Sequence, residues 1–175
     1  MHEWVELGKK YPKALAALRD IRDKEASLLA AGNTNSALFH DVEAINDNLN
    51  EVRSTVELFK QIEARDPAFA ESIYMVAEKP LVASGEYALA RKYLGNPEKR
   101  FVRAKQLYER GIKHAATQSP TAEMSHRAME NIFAERMIRL IAVLDKTGDK
   151  AGAQAIQAKA LQVLNNDEIK NAIHH

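Results

Sequence analysis

The residues best suited to metal binding are His126 and Glu130, which lie four positions apart in a helix-forming stretch. One helical turn brings such a pair onto the same face, and imidazole and carboxylate groups are common zinc ligands. The H-E-x-x-H signature of zinc peptidases is absent, and a single His/Glu pair at this spacing is typical of a solvated side-chain contact. We therefore expect no metal site.

His40 and Asp41 are adjacent, and this combination of residue types can hold an imidazole in one orientation. Adjacent residues of an α-helix point about 100° apart, however, so these two side chains do not face each other. The sequence also contains no phosphate-binding glycine loop, no dinucleotide-binding glycine turn and no nucleophile elbow. We therefore predict a protein with no catalytic activity of its own and no cofactor.

The composition predicts a globular all-α protein. Hydrophobic residues make up 46% of the 175 residues and charged residues 28%, and strong helix formers such as Ala, Leu, Glu and Lys predominate. The absence of cysteine excludes disulfide bonds and thiolate metal sites. Apolar stretches are far shorter than the ~20 residues of a membrane span. We expect a soluble protein that is not inserted in a membrane, with the cytoplasm favoured over the periplasm.

Glycine, proline and asparagine residues divide the chain into helices. Pro80 is expected to kink or split its helix, Asp167 is expected to cap a short terminal helix, and Ile132 is expected to be buried in the longest helix. The predicted helices up to the Ser84-Gly85-Glu86 turn run from about Glu3 to Tyr11, from Pro12 to the Gly32 turn, from Ser36 to Asn48, from Val52 to Asp66-Pro67, and through Ile73 to that turn. Those that follow run through Tyr87 to Leu94, from Glu98 to Ala116, from Thr121 to Lys146, and through Ala153 to Leu164.

Two motifs suggest a repeat architecture. The opening run, Trp4 to Tyr11, reads W-x-x-L-G-x-x-Y, and residues 36–69 carry a spaced series of packing residues over 34 positions: Phe39, Val42, Thr55, Phe59 and Pro67. The chain resembles the tetratricopeptide repeat family in these features. Residues 134–165 resemble it again, although Ile141 and Gln157 replace the expected small and aromatic residues. Residues 98–116 fit no repeat cleanly, although Gly111 could occupy a close-approach position.

The resemblance implies a right-handed α-α superhelix of helical hairpins that acts as a protein- or peptide-interaction module, or scaffold. A generic α-α superhelix is the alternative. We expect a single domain over residues 1–175, belonging to a longer protein. The first helix of each hairpin would line a concave surface that holds a basic or neutral peptide. The predicted partner-binding residues are Val5, Lys9, His40, Ala44, Asp47, Tyr74 and Glu78. A shift of the register by one residue would instead make Tyr74 a packing residue.

Charge is distributed unevenly along the chain. Residues 41–71 contain eight acidic and three basic residues, whereas residues 91–113 contain eight basic and two acidic ones. Both segments could be ordinary solvated helix faces. The basic segment could also bind an acidic peptide or a nucleic-acid backbone, and the alternative function is therefore a nucleic-acid-associated helical protein that uses residues 91–113. Its aromatic residues, Phe101 and Tyr108, fall on an apolar stripe and are predicted to be core residues rather than base-stacking ones.

Overall fold

The computed structural model describes residues 12–115 and 122–173, and these residues form helices and no strands. This confirms the predicted all-α class. The helices of the described residues are α1 (Pro12–Ala30), α2 (Ser36–Asn48), α3 (Val52–Arg65), α4 (Pro67–Ala83), α5 (Tyr87–Tyr93), α6 (Pro97–Ala115), α7 (Ala122–Lys146), α8 (Lys150–Val163) and α9 (Asp167–Asn171). They form two compact units, one up to Glu86 and one from Tyr87 onward. The single domain and the tetratricopeptide-like superhelix stay predictions.

Side-chain caps explain where several helices begin. The side chains of Asn35 and Asp66 accept hydrogen bonds from backbone N–H groups at the starts of α2 and α4, and Asp149 does the same for α8. The predicted span of α2, Ser36–Asn48, is confirmed. The prediction that Asp167 caps the terminal helix is wrong, because the cap is Asn166, whose side chain accepts a hydrogen bond from Ile169 N. The helix containing Pro80 is not split and runs without a break from Pro67 to Ala83.

In the first unit, α2 packs between its neighbours α1, α3 and α4. The Phe39 ring of α2 meets the Phe59 ring of α3 edge to face, with 6.2 Å between the ring centroids. Both rings are fully buried, together with Ile62 and Ile73. Each such side chain contributes about 1.5–3 kcal/mol through removal of apolar surface from water, so this cluster helps to stabilise the unit.

In the second unit, α7 is the central helix, and α5, α6, α8 and α9 all pack against it. Its buried face carries Phe133 and Met137, and Ala153 and Ala160 of α8 are fully buried. At Gly111 a Cβ would overlap the Met129 side chain, so α6 and α7 approach closely there. The short helix α5 also belongs to this unit.

The structure shows the contacts of one residue that departs from the predicted repeat pattern and the burial of another. Gln157, which stands where the resemblance calls for an aromatic residue, donates from Nε2 to the backbone carbonyls of Ile169 (2.8 Å) and Lys170 (2.9 Å). It therefore ties the terminal helix α9 to α8. Ile141, which replaces a small residue, is fully buried.

Among the described helices, none has both the length and the apolar composition needed to cross a membrane.

Candidate functional site

Three of the predicted partner-binding residues lie on one face of α2, at the spacing i, i+4, i+7. His40 is exposed and Ala44 is half-buried. Asp47 accepts two hydrogen bonds from Lys79 Nζ of α4, at 2.8 and 2.7 Å. The negative charge that was expected to attract a basic peptide is therefore paired with a lysine of the same unit. The recess beside this pair has a volume of about 20 Å³, which is room for a water molecule rather than for a peptide side chain.

The other predicted partner-binding residues are less accessible or lie outside the described residues. Tyr74 is 2% exposed and Glu78 is 7% exposed, and Tyr74 Oη lies 3.3 Å from Glu78 Oε1. Burial agrees with the alternative register, in which Tyr74 is a packing residue. Val5 and Lys9 lie outside the described residues. The structure thus brings His40, Ala44 and Asp47 together on one face of α2, but it does not add Tyr74 or Glu78 to that surface as accessible groups.

Further acidic residues of the first unit are also engaged. Glu51 accepts hydrogen bonds from Arg22 (2.5 Å) and Arg19 (2.9 Å) of α1. These bonds, led by the one from Arg22, hold the pKa of Glu51 below its ordinary value. Lys60 forms ion pairs with Glu86 (2.6 Å) and Glu57 (3.4 Å). Asp47, Glu51 and Glu57 of the acid-rich segment 41–71 therefore meet basic groups within their own unit.

Helix α6 presents the opposite arrangement. Its basic stripe, which we define as Lys99, Arg103, Arg110 and Lys113, follows the spacing i, i+4, i+11, i+14 and so runs along a single face of the helix. All four residues are exposed, and in the described part of the chain none is paired with an acidic group. The stripe extends over about 21 Å at 1.5 Å per residue. It is a row of positive charge available to a partner.

The local sequence explains why α6 displays this face. Pro97 opens the helix, and the side chain of Asn96 accepts a hydrogen bond from Lys99 N at 3.0 Å. Phe101 and Ala104 are buried on the opposite side, which turns the basic stripe to the solvent. The ion pair between Glu98 and Lys159 of α8, at 2.6 Å, further fixes the start of the helix.

An apolar recess lies beside the basic stripe, between α6 and α7. Its volume is about 200 Å³, and it is lined by Ala104, Leu107, Tyr108, Met129, Ile132, Phe133 and Arg136. The centroids of the Tyr108 and Phe133 rings lie 5.1 Å apart. Two of the lining side chains are exposed, Leu107 by 38% and Ile132 by 43%. Ile132, which we expected to be buried, therefore lies on the rim of an open groove.

The recess and the basic stripe are neighbours on the surface of α6. Leu107 follows Arg103 by four residues and precedes Arg110 by three, and both spacings bring side chains together on a helix. Arg136 supplies a further guanidinium at the recess itself. Sequence reasoning identified the basic segment but missed the recess. The signal available was Leu107, an apolar residue at helical spacing from the basic ones.

The His126–Glu130 pair has the geometry expected of a solvated contact. Nδ1 of the imidazole lies 3.5 Å from Oε1 of the carboxylate, and both side chains are partly exposed. Across residues 12–115 and 122–173, no group of three or more potential metal ligands is found.

Comparisons with protein-family models, with curated protein sequences and with solved structures give no match to this chain. The functional argument therefore depends on the surface chemistry of the chain itself.

Proposed function

We propose that this protein is an interaction module, without catalytic activity of its own, that binds an acidic segment of another protein through the basic stripe of α6. The observation that supports this most directly is the row of four exposed cations without acidic partners in the described residues. The resemblance to tetratricopeptide repeats agrees with this class of function, since proteins of that family hold segments of other proteins. The proposed surface differs from the concave surface expected from the resemblance.

Electrostatics favours α6 over the α2 face as the binding surface. Asp47 of α2 is already paired with Lys79, so a basic peptide would have to compete with that lysine. Lys99, Arg103 and Lys113 have no such competitor among the described residues. An acidic segment would form new ion pairs with them and would be steered to the surface at low salt.

Fluorescence anisotropy tests the proposal with three labelled 16-residue peptides, one rich in glutamate, one rich in lysine and one neutral. We expect the glutamate-rich peptide to bind most tightly and to lose affinity as salt is raised from about 50 to 300 mM, because exposed charges are then screened. The double variant Arg103→Glu/Arg110→Glu should bind it at least about tenfold more weakly, which corresponds to about 1.4 kcal/mol.

A matched control changes the net charge by the same amount elsewhere. Lys13 and Lys24 of α1 are exposed, and the variant Lys13→Glu/Lys24→Glu should bind the glutamate-rich peptide nearly as well as the parent protein. Equal losses in the two double variants would mean that only net charge matters, and the proposed surface would then be wrong.

Nucleic acid is the second candidate, because the same basic stripe could contact phosphates. A labelled 16-nucleotide oligothymidylate separates the two functions when it is titrated at the same salt concentrations as the glutamate-rich peptide. Tighter binding of the oligonucleotide, with loss of that binding in Arg103→Glu/Arg110→Glu, would favour the nucleic-acid function. The exposed apolar recess beside the stripe favours the peptide.

A further inference from the structure

The apolar recess between α6 and α7 has a lining that limits what can fill it. Its floor consists of Ala104, Phe133 and the Tyr108 ring, and its rim exposes Leu107 and Ile132. A volume of about 200 Å³ is below the ~300–1,000 Å³ of typical small-molecule sites. The recess therefore suits an apolar side chain of a partner better than a cofactor or a metabolite.

The charges around the recess restrict the partner further. Arg136 lies at the recess, and Arg103 and Arg110 are the helical neighbours of Leu107 on its rim. None of these three guanidinium groups has an acidic partner in the described residues. The described residues that line the recess include no acidic side chain. An apolar group that enters here lies near cations without acidic partners among the described residues, and carboxylates on the same partner segment would compensate them.

We infer that the acidic segment bound by the basic stripe is an amphipathic helix that inserts one Leu-sized side chain into the apolar recess. This inference rests on the proposed function. Carboxylates three or four positions on either side of the apolar anchor lie on the same helix face and reach the cations that flank the recess. Recognition of an amphipathic helix by a groove between two helices is a recurring mode, in which a buried anchor carries most of the affinity.

Two labelled peptides of equal charge test the inference. Both have 16 residues with blocked termini, an Ala/Gln host sequence and four glutamates spaced three and four residues apart on one face. One carries a leucine at the centre of that face and the other an alanine. A 16-residue helix is about 24 Å long, which matches the length of the basic stripe. We expect the leucine peptide to bind about tenfold more tightly, with the affinity ratio constant as salt lowers both affinities.

A pair of protein variants tests whether the leucine of the peptide binds in the apolar recess. Ile132→Ala removes the rim of the recess, and Ile21→Ala removes an isoleucine of α1 that is 52% exposed and remote in sequence. The affinity ratio of the two peptides should fall toward one in Ile132→Ala and stay near tenfold in Ile21→Ala. A second variant, Leu107→Ala, should reproduce the effect of Ile132→Ala, so that the result does not depend on one substitution.

The outcomes separate this inference from the proposed function. Equal affinity of the parent protein for the two peptides would overturn the inference while leaving binding by the basic stripe intact. Failure of both peptides to bind at low salt would overturn both. A tenfold ratio that survives Ile132→Ala and Leu107→Ala would place the leucine elsewhere and overturn the inference. A concentration-dependent dimer that dissociates in Ile132→Ala and excludes the peptides would make a second copy of the chain the occupant instead.

Discussion

The acid-rich segment 41–71 and the basic helix α6 differ in what their charges contact. In the acid-rich segment, Asp47 is paired with Lys79, and Glu51 with Arg19 and Arg22, all basic residues from outside the segment. On α6, the basic stripe has no acidic partner among the described residues. A charge count over a segment therefore does not predict which charges a partner can use.

One paired cation of the first unit, Arg22, is also largely buried. The Arg22 side chain is only 12% exposed and donates to Asn46 Oδ1 at 2.7 Å as well as to Glu51. Asn46 is fully buried and donates in turn to Thr55 Oγ1 at 3.0 Å. This cluster links α1, α2 and α3. The paired charges of Arg22 and Glu51 therefore contribute to stability, whereas the basic stripe has no acidic partner among the described residues, and four predictions test this difference.

The largest effect is expected at Asn46. Asn46→Ala removes its hydrogen bonds with Arg22 and Thr55 from a fully buried position, and we expect the free energy of unfolding to fall by about 1–3 kcal/mol. Urea denaturation measures the loss. Asn131→Ala, at an exposed position of α7, should change stability by less than about 0.5 kcal/mol. Equal effects at both positions would contradict the structural role of the cluster.

Glu51 should make the first unit sensitive to acid. Hydrogen bonds from Arg22 and Arg19 lower its pKa from the ordinary 4.5, so the folded state favours the carboxylate. Its contribution is present above pH 4.5 and is lost as the pH falls through the lowered pKa. Glu51→Gln should cost on the order of 1 kcal/mol at pH 7. The difference from the parent protein should shrink in urea melts below pH 4.5. A loss that is independent of pH would show that the charge is unimportant.

Glu25 of α1 should show the opposite pH dependence, with a smaller effect. Burial raises its pKa, and the nearby Asp41 adds to the rise. Its Oε2 atom is buried without a hydrogen-bond partner in the structure. For a carboxyl group with a raised pKa, the stabilising contribution is present below the unfolded value of 4.5 and is lost as the pH rises through the folded pKa.

We therefore expect Glu25→Gln to raise the free energy of unfolding at pH 7 and to lose this advantage below about pH 4.5. Urea melts over that range measure it. Glu71→Gln, at an exposed position of α4, is the control and should show no gain at pH 7. Destabilisation by Glu25→Gln at pH 7 would mean that the carboxylate has a favourable role.

The smallest effects are expected for Lys79, which is paired, and for Arg103, which has no acidic partner among the described residues. A double-mutant cycle of Lys79→Gln with Asp47→Asn should give a coupling of about 0.2–1 kcal/mol, because both side chains are partly exposed. Arg103→Gln should change stability by less than about 0.5 kcal/mol while weakening binding of the glutamate-rich peptide. Marked destabilisation by Arg103→Gln would show that the basic stripe has a structural role, and the contrast with the first unit would disappear.

Much of the helical framework was predictable because its boundaries are local. Asn35, Gly32 and Pro67 determine helix ends through backbone dihedral angles and capping bonds that involve only nearby residues. Pro80 was harder to judge, because a proline in a helix can be accommodated within a packed core, and here α4 continues through it. Asp167 was expected to be the cap of the terminal helix, but the neighbouring Asn166 is the cap, and asparagine and aspartate side chains cap about equally well.

The candidate site was predictable only in part. The basic composition of residues 91–113 can be counted from the sequence, but the recess requires two helices that are distant in the chain. Ile132 has the spacing of a core residue on α7, yet its exposure depends on how closely α6 covers it. Sequence periodicity identifies the apolar side of a helix but not the edge of the region that its neighbour covers.

By itself, the sequence determined the all-α class, most helix boundaries and the uneven distribution of charge, because propensity, capping and composition act over a few residues. Only the tertiary structure decided that Asp47 and Glu51 meet cations of other helices, that Tyr74 is buried, and that the basic stripe lies beside an apolar recess without an acidic partner among the described residues. These features depend on contacts between residues far apart in the chain, which form when apolar faces pack together.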